Sequence, residues 1–533
     1  MLFRSASTMC RKFTADKFHL TQVTNGFIYK QLLMLKASKA TGLDGVLARL
    51  LKDIAVTISI FLTHIINLSI TSQRIPHDWK HAKVIPLYKE GAREDIDNYR
   101  PISILPVVSK ILERAVQNQL VDYLESRGLF SRYQCGFRRK YSTQSAITFL
   151  SDSIRRNMDA GQLTGAIFTD FRKAFDTIDH KILLDKLQLF GIYDSEHRWM
   201  TDYLTDRIQS VFVGGVLSCP QQVTSGVPQG SILGPLLFSL YVTDLPNCLR
   251  AANVLMYADD TVIYYAAPDA NQLERMLNAE LKFLHDWSSK NELFIHPKKT
   301  EYVIFGTAMK RNQINPDNLS GVYLGDQVLN CRPFYKYLGV YLDQTLSFKE
   351  HVTRLVNKVS RQLGLLSRVR NSLTVHAAER IFTAMILPKL DYCDFVWNNL
   401  APSRYNALEQ LQTRAGRIIL KESSLSHEHL LRQLSWMSLK ACSNMHIVTF
   451  VFKCVHNNAP DLFKEYFVKT SHNYSTRCNG LDILAPKVST ETAKKGCYYF
   501  GAQVFNNLLS SMKETESLLI VKTMIKDFLS ESS

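Results

Sequence analysis

The stretch VLMYADDTVIYY, Val254–Tyr265, decides the fold. β-branched, aromatic and long apolar residues flank Ala258-Asp259-Asp260 on both sides, so the stretch reads as strand, tight turn, strand with the aspartates at the tip. Asp-Asp is also an ordinary turn former, and alone it carries little meaning. It gains meaning from GAIFTDFRKAFDTIDHKILLDKL, Gly165–Leu187. There a short apolar strand, Ala166–Thr169, ends at Asp170, and a helix is predicted from near Asp179. Asp170 also suits a helix cap. If the strands are neighbours in one sheet, Asp170, Asp259 and Asp260 converge as hard oxygen ligands for Mg²⁺. Two such ions would suit a phosphoryl transfer.

Outward from these strands, HAKVIPLYKEGAREDIDNYRPIS, His81–Ser103, reads as a basic β-hairpin with a long loop, carrying Lys83, Lys89, Arg93 and Arg100. Residues 18–75 have helical periodicity, broken at SKATGLDG, Ser38–Gly45. Val107–Ser126 places Val108, Ile111, Leu112, Val116, Leu120 and Leu124 at helical spacing. RIQSVFVGG, from Arg207, reads as a strand. A glycine-proline loop from Ser225 feeds a helix, and residues 273–287 are helical. A strand is predicted at Tyr302–Phe305 and a hairpin at Tyr335–Leu342. After Ser347 the pattern is almost wholly helical: Val352, Leu355, Val359, Leu363 and Leu366 form one stripe, beside Arg354, Lys358, Arg361 and Arg368.

The 533 residues imply about three or four domains at roughly 150 residues each. Charged residues make up 21% and hydrophobic ones 46%, which excludes a wholly disordered, collagenous or many-spanning membrane protein. Lys and Arg number 64 against 48 Asp and Glu, and the formal charge of +16 favours a polyanionic partner, nucleic acid first. Ten cysteines stand singly without a C-x-x-C pair, as in a nuclear or cytosolic chain with reduced thiols. The longest uncharged stretch, between Asp53 and Arg74, reads as a core helix with a polar face and not as a membrane span. The opening MLFRSASTMCRKFT is basic and hydroxyl-bearing, as transit peptides are, but no clean amphipathic helix follows, so it reads as a frayed start. Cys442, His446, Cys454 and His456 have helical spacing but no zinc-finger pattern, and HEH at His427–His429 is not HExxH.

Several stretches together resemble the reverse transcriptases of non-LTR (LINE-type, jockey-like) retrotransposons. YADD at Tyr257–Asp260 is similar to the family signature. FTDFRKAFDTIDH, Phe168–His180, and SGVPQGSILGPLLF, Ser225–Phe238, resemble its first two palm motifs. NYRPISILPVVSKILE, Asn98–Glu113, and QCGFRRKYSTQSA, Gln134–Ala146, resemble its finger motifs. LFIHPKKT, Leu293–Thr300, and FYKYLGVYLD, Phe334–Asp343, match later palm motifs. LPKLDYCDFVW, residues 387–397, and LEQLQTRAGRIIL, residues 408–420, resemble jockey-like tails, whereas VFNNLL, Val504–Leu509, departs from the tail motif.

The resemblance implies an α+β right-hand polymerase. Its expected parts are an extension at residues 1–30, fingers and an antiparallel palm at 31–345, a helical thumb at 346–420 and a helical tail of unknown role at 421–533. It implies an RNA-directed DNA polymerase acting on an RNA template, a DNA primer and dNTPs with two Mg²⁺ ions. Asp170, Asp259 and Asp260 would hold the metal. Phe175 would lie under the nucleotide sugar and exclude a 2′-OH. Phe171, Gln229 and Gly230 would line the nucleotide site, Lys89 and Arg100 would meet the triphosphate, and Lys299 would protonate pyrophosphate. His296 departs from the usual asparagine. Only some thirty residues precede the first polymerase-like motif, so the chain resembles a truncated copy without the family's endonuclease, which another protein would supply. No RNase H or membrane association is expected. The alternative is a catalytically silent RNA-binding remnant; an intron-maturase polymerase is argued against by the tail.

Overall fold

The computed structural model describes residues 13–315, 319–397, 400–469 and 481–531. The basic opening, except for its last two residues, lies outside them. In chain order the first elements are α1 (Asn25–Leu33), α2 (Ala48–Asp53), α3 (Ala55–Ser72), β1 (His81–Tyr88), β2 (Tyr99–Ile104), α4 (Val107–Ser126), α5 (Thr143–Asp159) and β3 (Leu163–Thr169). Then follow α6 (His180–Leu189), α7 (Asp194–Leu204), β4 (Arg207–Val213), β5 (Val216–Leu217), β6 (Gln221–Val223), α8 (Gly234–Tyr241), β7 (Asn253–Tyr257), β8 (Asp260–Ala267) and α9 (Ala270–Lys290). After β9 (Glu301–Phe305) and α10 (Ala308–Asn312) come the short strands β10 (Tyr323–Leu324), β11 (Gln327–Val328) and β12 (Asn330–Cys331), then β13 (Phe334–Tyr337) and β14 (Val340–Asp343). The rest is helical: α11 (Lys349–Val369), α12 (Val375–Ile381), α13 (Leu387–Asp391), α14 (Asp394–Trp397), α15 (Pro402–Leu420), α16 (His427–Leu434), α17 (Leu439–Val455), α18 (Glu491–Lys494), α19 (Ala502–Asn506), α20 (Ser510–Glu514) and α21 (Leu518–Glu531). The fold is α+β, with antiparallel pairings dominating both larger sheets.

The chain forms two compact units and passes between them repeatedly. The first comprises Met1–Phe137, Asp170–Arg250 and Phe283–His296; the second comprises Arg138–Thr169, Ala251–Lys282 and Pro297–Ser533.

In the first unit, β1 and β2 form the expected basic hairpin, from Lys83↔Ile104 to Tyr88↔Tyr99, and β1 continues in parallel onto β4. Helix α4 spans the residues its periodicity predicts and buries Val108, Ile111, Leu112, Ala115, Val116, Leu120 and Leu124. Each such side chain, fully buried, contributes about 1.5–3 kcal/mol. The helical region before the hairpin is α1 to α3. Helix α3 buries Leu62, Ile66 and Ile70, but Val56, Ile60, Phe61 and Leu68 remain exposed. The expected core helix is therefore buried on one stripe only. With a mean hydropathy of 1.5 over 18 residues, α3 is long and apolar enough to cross a membrane by length and composition, and 33% of it is buried.

The second unit is built on a sheet of order β12-β9-β3-β8-β7. Strand β3 is central and all seven of its residues are buried, so it reads as a continuous apolar run. Gly165 in β3 admits the close approach of α9: a Cβ there would stand 2.6 Å from Leu277 Cδ1. The stripe Val352, Leu355, Val359, Leu363 and Leu366 of α11 is buried as predicted. Residues near the chain's end are tied to α5. Asp152, fully buried, accepts hydrogen bonds from the backbone N–H groups of Cys497 (2.9 Å) and Tyr498 (3.1 Å), and its Oδ1 lies 3.5 Å from Arg155.

Candidate active site

The hairpin of the second unit places two carboxylates outside the core. Val254, Leu255 and Met256 of β7 and Val262 and Ile263 of β8 are buried, which fixes the strands. The pair Tyr257↔Asp260 closes a two-residue turn at Ala258-Asp259. Ala258 adopts φ +57, a left-handed conformation costing a non-glycine residue about 1 kcal/mol. Such strain accumulates where a tight geometry must be kept. Asp259 and Asp260 are both exposed.

The sheet register defines which strand ends coincide. Thr169, the last residue of β3, pairs with Thr261, and its Oγ1 donates to the Thr261 carbonyl at 3.1 Å. Asp260 precedes Thr261 and Asp170 follows Thr169 in the chain, so the strand ends that lead to these aspartates are neighbours in the sheet of the second unit. Asp170 begins a segment held in the first unit by LFIHPKKT. Its carbonyl accepts from the His296 N–H at 2.7 Å, Phe171 bridges Ile295, and the Arg172 N–H donates to the Phe294 carbonyl at 2.8 Å. His296 serves Asp170 through its main chain, and that contact does not depend on the side chain that departs from asparagine.

The first unit gathers the residues expected around the nucleotide. Phe175 is half-buried, stacked on Phe238 at 4.8 Å and edge-on to Phe137 at 6.5 Å, and its carbonyl accepts from the Val227 N–H at 2.8 Å. Gln229 is fixed at two places. Its carbonyl accepts from the Ser103 N–H at 2.8 Å, and its Nε2 donates to Asp176 Oδ1 (3.0 Å) and Oδ2 (2.9 Å). Two glycines are required in this loop. Gly226 (φ +81) packs on the Asp176 backbone and Gly230 (φ +134) on Ser103, where a Cβ would approach the carbonyl oxygens to 2.6 and 2.4 Å. Further along, buried Glu113 accepts from the Ile232 N–H and from Tyr203 Oη at 3.2 Å. Burial pushes the Glu113 carboxyl above its ordinary range, and these hydrogen bonds oppose the shift.

Asp176 and Glu113 were not expected from the sequence. Asp176 lies within the quoted first palm motif, six residues after Asp170. Its role depends on a loop some fifty residues away, which no local spacing encodes.

The cationic candidates separate by environment. Lys89 and Arg100 are exposed on the β1–β2 hairpin, where the Lys89 N–H donates to the Asn98 carbonyl at 2.9 Å and Arg100 pairs with Leu87. Lys83 is half-buried, with its Nζ 3.7 Å from the centroid of the Phe212 ring. Lys299, in the second unit, is exposed in the turn before β9.

The donors at the strand ends are carboxylate oxygens, which fit a hard divalent cation. Among the described residues, no group of three or more His, Cys, Asp and Glu forms a ready metal cage. A Mg²⁺ site need not be one, since one or two carboxylates are ordinarily completed by water and substrate phosphates. In the tail, His446 Nδ1 lies 2.7 Å from Asp394 Oδ2 and His456 Nδ1 lies 2.9 Å from the Phe452 carbonyl, while burial pushes the Cys442 thiol up to about 12.

Much of the chain is similar in sequence to known proteins. Residues 88–342 match the family described as reverse transcriptase (RNA-dependent DNA polymerase). The chain is 32% identical over 409 residues to the probable RNA-directed DNA polymerase from transposon BS of Drosophila melanogaster, covering 74% of this chain and 44% of that protein. It is 29% identical over 421 residues to the RNA-directed DNA polymerase from mobile element jockey of Drosophila melanogaster, covering 75% and 44%. The chain thus spans less than half the length of these relatives. Among solved structures, telomerase from Candida albicans in complex with a telomeric RNA fragment gives a TM-score of 0.36 at 12% identity, covering 70% of this chain and 65% of that one. Over residues 88–342 the chain therefore carries a reverse transcriptase domain, of the kind found in non-LTR retrotransposons.

Proposed function

We propose that the chain is an RNA-directed DNA polymerase that extends a DNA 3′-hydroxyl along an RNA template. The observation that supports this reading is the pairing Thr169↔Thr261, which makes neighbours of the strand ends leading to Asp170 and to Asp259-Asp260, within residues that match the reverse transcriptase family. Reverse transcriptases as a family use divalent metal ions. Mg²⁺ is the ion these oxygens favour, and two ions there would supply activation of the hydroxyl and neutralisation of the leaving phosphate.

The remaining steps fall to the chain's own residues. Gln229 and Gly230 line the nucleotide and Phe171 supports the strand end beneath it. Phe175, backed by Phe238, has little room to retreat from a 2′-OH, which favours dNTPs. Lys89 and Arg100 are the exposed donors for the triphosphate, and Lys299 is a proton source for pyrophosphate. Orientation and fixed charge carry most of the rate in such transfers. The +16 formal charge supports binding of RNA template and DNA primer.

The test is primer extension by the purified chain on an RNA template with dNTPs and Mg²⁺. Template-dependent DNA product is the expected result. Tight RNA binding with no product would replace this reading with that of a silent RNA-binding remnant.

A further inference from the structure

Asp176 is a half-buried carboxylate whose side chain is held by the amide of Gln229; burial favours its neutral form, and this hydrogen bond and the charge of Lys173 favour the ionised one. Among the described residues it makes no ion pair, and Lys173, three residues before it, pairs with Asp97 at 2.8 Å instead. Its side-chain hydrogen bonds are those from Gln229 Nε2, at 3.0 and 2.9 Å. The main chain of Asp176 is also held. Its N–H donates to the Lys173 carbonyl at 2.7 Å, its carbonyl accepts from Ser225 Oγ at 3.1 Å, and Gly226 packs directly on it. The main chain of Gln229 is fixed independently by Ser103 and by the close seat of Gly230.

With both backbones fixed, the freedom left to Gln229 is rotation of its amide. An ionised carboxylate only accepts, so it holds the NH₂ end and leaves the carbonyl oxygen as the free polar atom. We infer that Asp176 is a positioning residue for Gln229, selecting the amide orientation in which Oε1 accepts a hydrogen bond from a hydroxyl or amino group of the incoming nucleotide. This rests on the polymerase reading above. Without Asp176 the side chain of Gln229 is unrestrained, and a productive fraction of about one tenth would weaken nucleotide binding about tenfold.

The experiment is single-nucleotide extension on an RNA template across a dNTP titration. It compares the parent with Asp176→Asn, Asp176→Ala, Gln229→Ala and the double variant Asp176→Ala/Gln229→Ala. Asp176→Ala should raise the KM for dNTP about tenfold and change kcat less than about threefold, because binding is what the amide orientation controls. Asp176→Asn, which keeps one acceptor oxygen and nearly the same shape, should recover most of the loss. The double variant should be no worse than Gln229→Ala, since Asp176 acts through Gln229. A parent-like KM in Asp176→Ala, or factors that multiply in the double variant, would overturn the inference. So would equal losses of kcat and melting temperature in both Asp176 variants. A parent that extends no primer removes the polymerase reading and this inference with it; a parent that extends, with unchanged variants, removes this inference alone.

Discussion

Two kinds of carboxylate stand in this molecule, and they serve opposite ends. Asp259 and Asp260, at a strained hairpin tip, are exposed to water. Glu113 in the first unit and Asp152 in the second are fully withdrawn from water, and each is committed to backbone N–H groups: Glu113 to Ile232, Asp152 to Cys497 and Tyr498. Burial pushes both of these carboxyls upward. Strongly perturbed acids often mark active sites. Here they mark joints that hold a loop or a chain segment in place, whereas of the acids proposed for metal Asp259 and Asp260 are exposed and Asp170 is half-buried. A carboxylate that must take up a cation and release product cannot also be locked into a dry network.

The comparison breaks first at Asp259. Asp259→Asn removes a charge that opposes the developing phosphate charge, an effect of several kcal/mol and so roughly a thousandfold or more in extension rate. Melting temperature and template binding should stay near the parent values. Near-parent turnover would show that the exposed aspartates are ordinary turn residues.

Asp152→Ala should act the other way. It leaves Arg155 buried without its partner and two backbone N–H groups unsatisfied, a loss of about 3–5 kcal/mol in stability. Denaturant unfolding would show it, and a change below about 1 kcal/mol would mean that Asp152 is not a joint.

Phe175 sharpens the contrast because it belongs to both classes, packed on Phe238 yet half-exposed. Phe175→Ala should raise NTP use relative to dNTP by about tenfold through lost steric exclusion, since pocket contacts of this size are worth about 1–3 kcal/mol. Competition extension with both nucleotide types reads the ratio; an unchanged ratio would make Phe175 core alone.

The smallest effect concerns Glu113. Its folded-state affinity for a proton exceeds its unfolded one, so its contribution favours the fold at low pH and is lost as pH rises through the raised folded pKa. Glu113→Gln keeps an acceptor for Ile232 and removes this dependence. The stability of the variant relative to the parent should rise from acid to neutral pH. A constant difference across that range would show that Glu113 binds its proton equally well folded and unfolded.

Much of this was legible in the chain alone, and for local reasons. The apolar spacing from Val107 to Ser126 gave the observed helix, because a repeat of 3.6 residues is written in consecutive positions. The two strands around Ala258-Asp259 were equally local, as were the β1–β2 hairpin and the buried stripe of α11. The half-bare α3 was not. Polar residues such as Thr57, Ser59, His64 and Asn67 are mixed with its apolar ones, and only its neighbours determine which stripe is covered.

By itself the sequence determined the secondary elements, the three aspartates and their place at strand ends, since periodicity and turn chemistry act over a few residues. Tertiary structure decided the rest. It set Thr169 opposite Thr261, folded the chain through two units that no linear boundary describes, and aimed Asp176 at Gln229 and Glu113 at Ile232. Those partners lie fifty to a hundred and twenty residues apart. The entropy of closing such loops grows only slowly with their length, so the partner of a buried carboxylate is chosen by how sheets and helices pack and not by nearness in the chain.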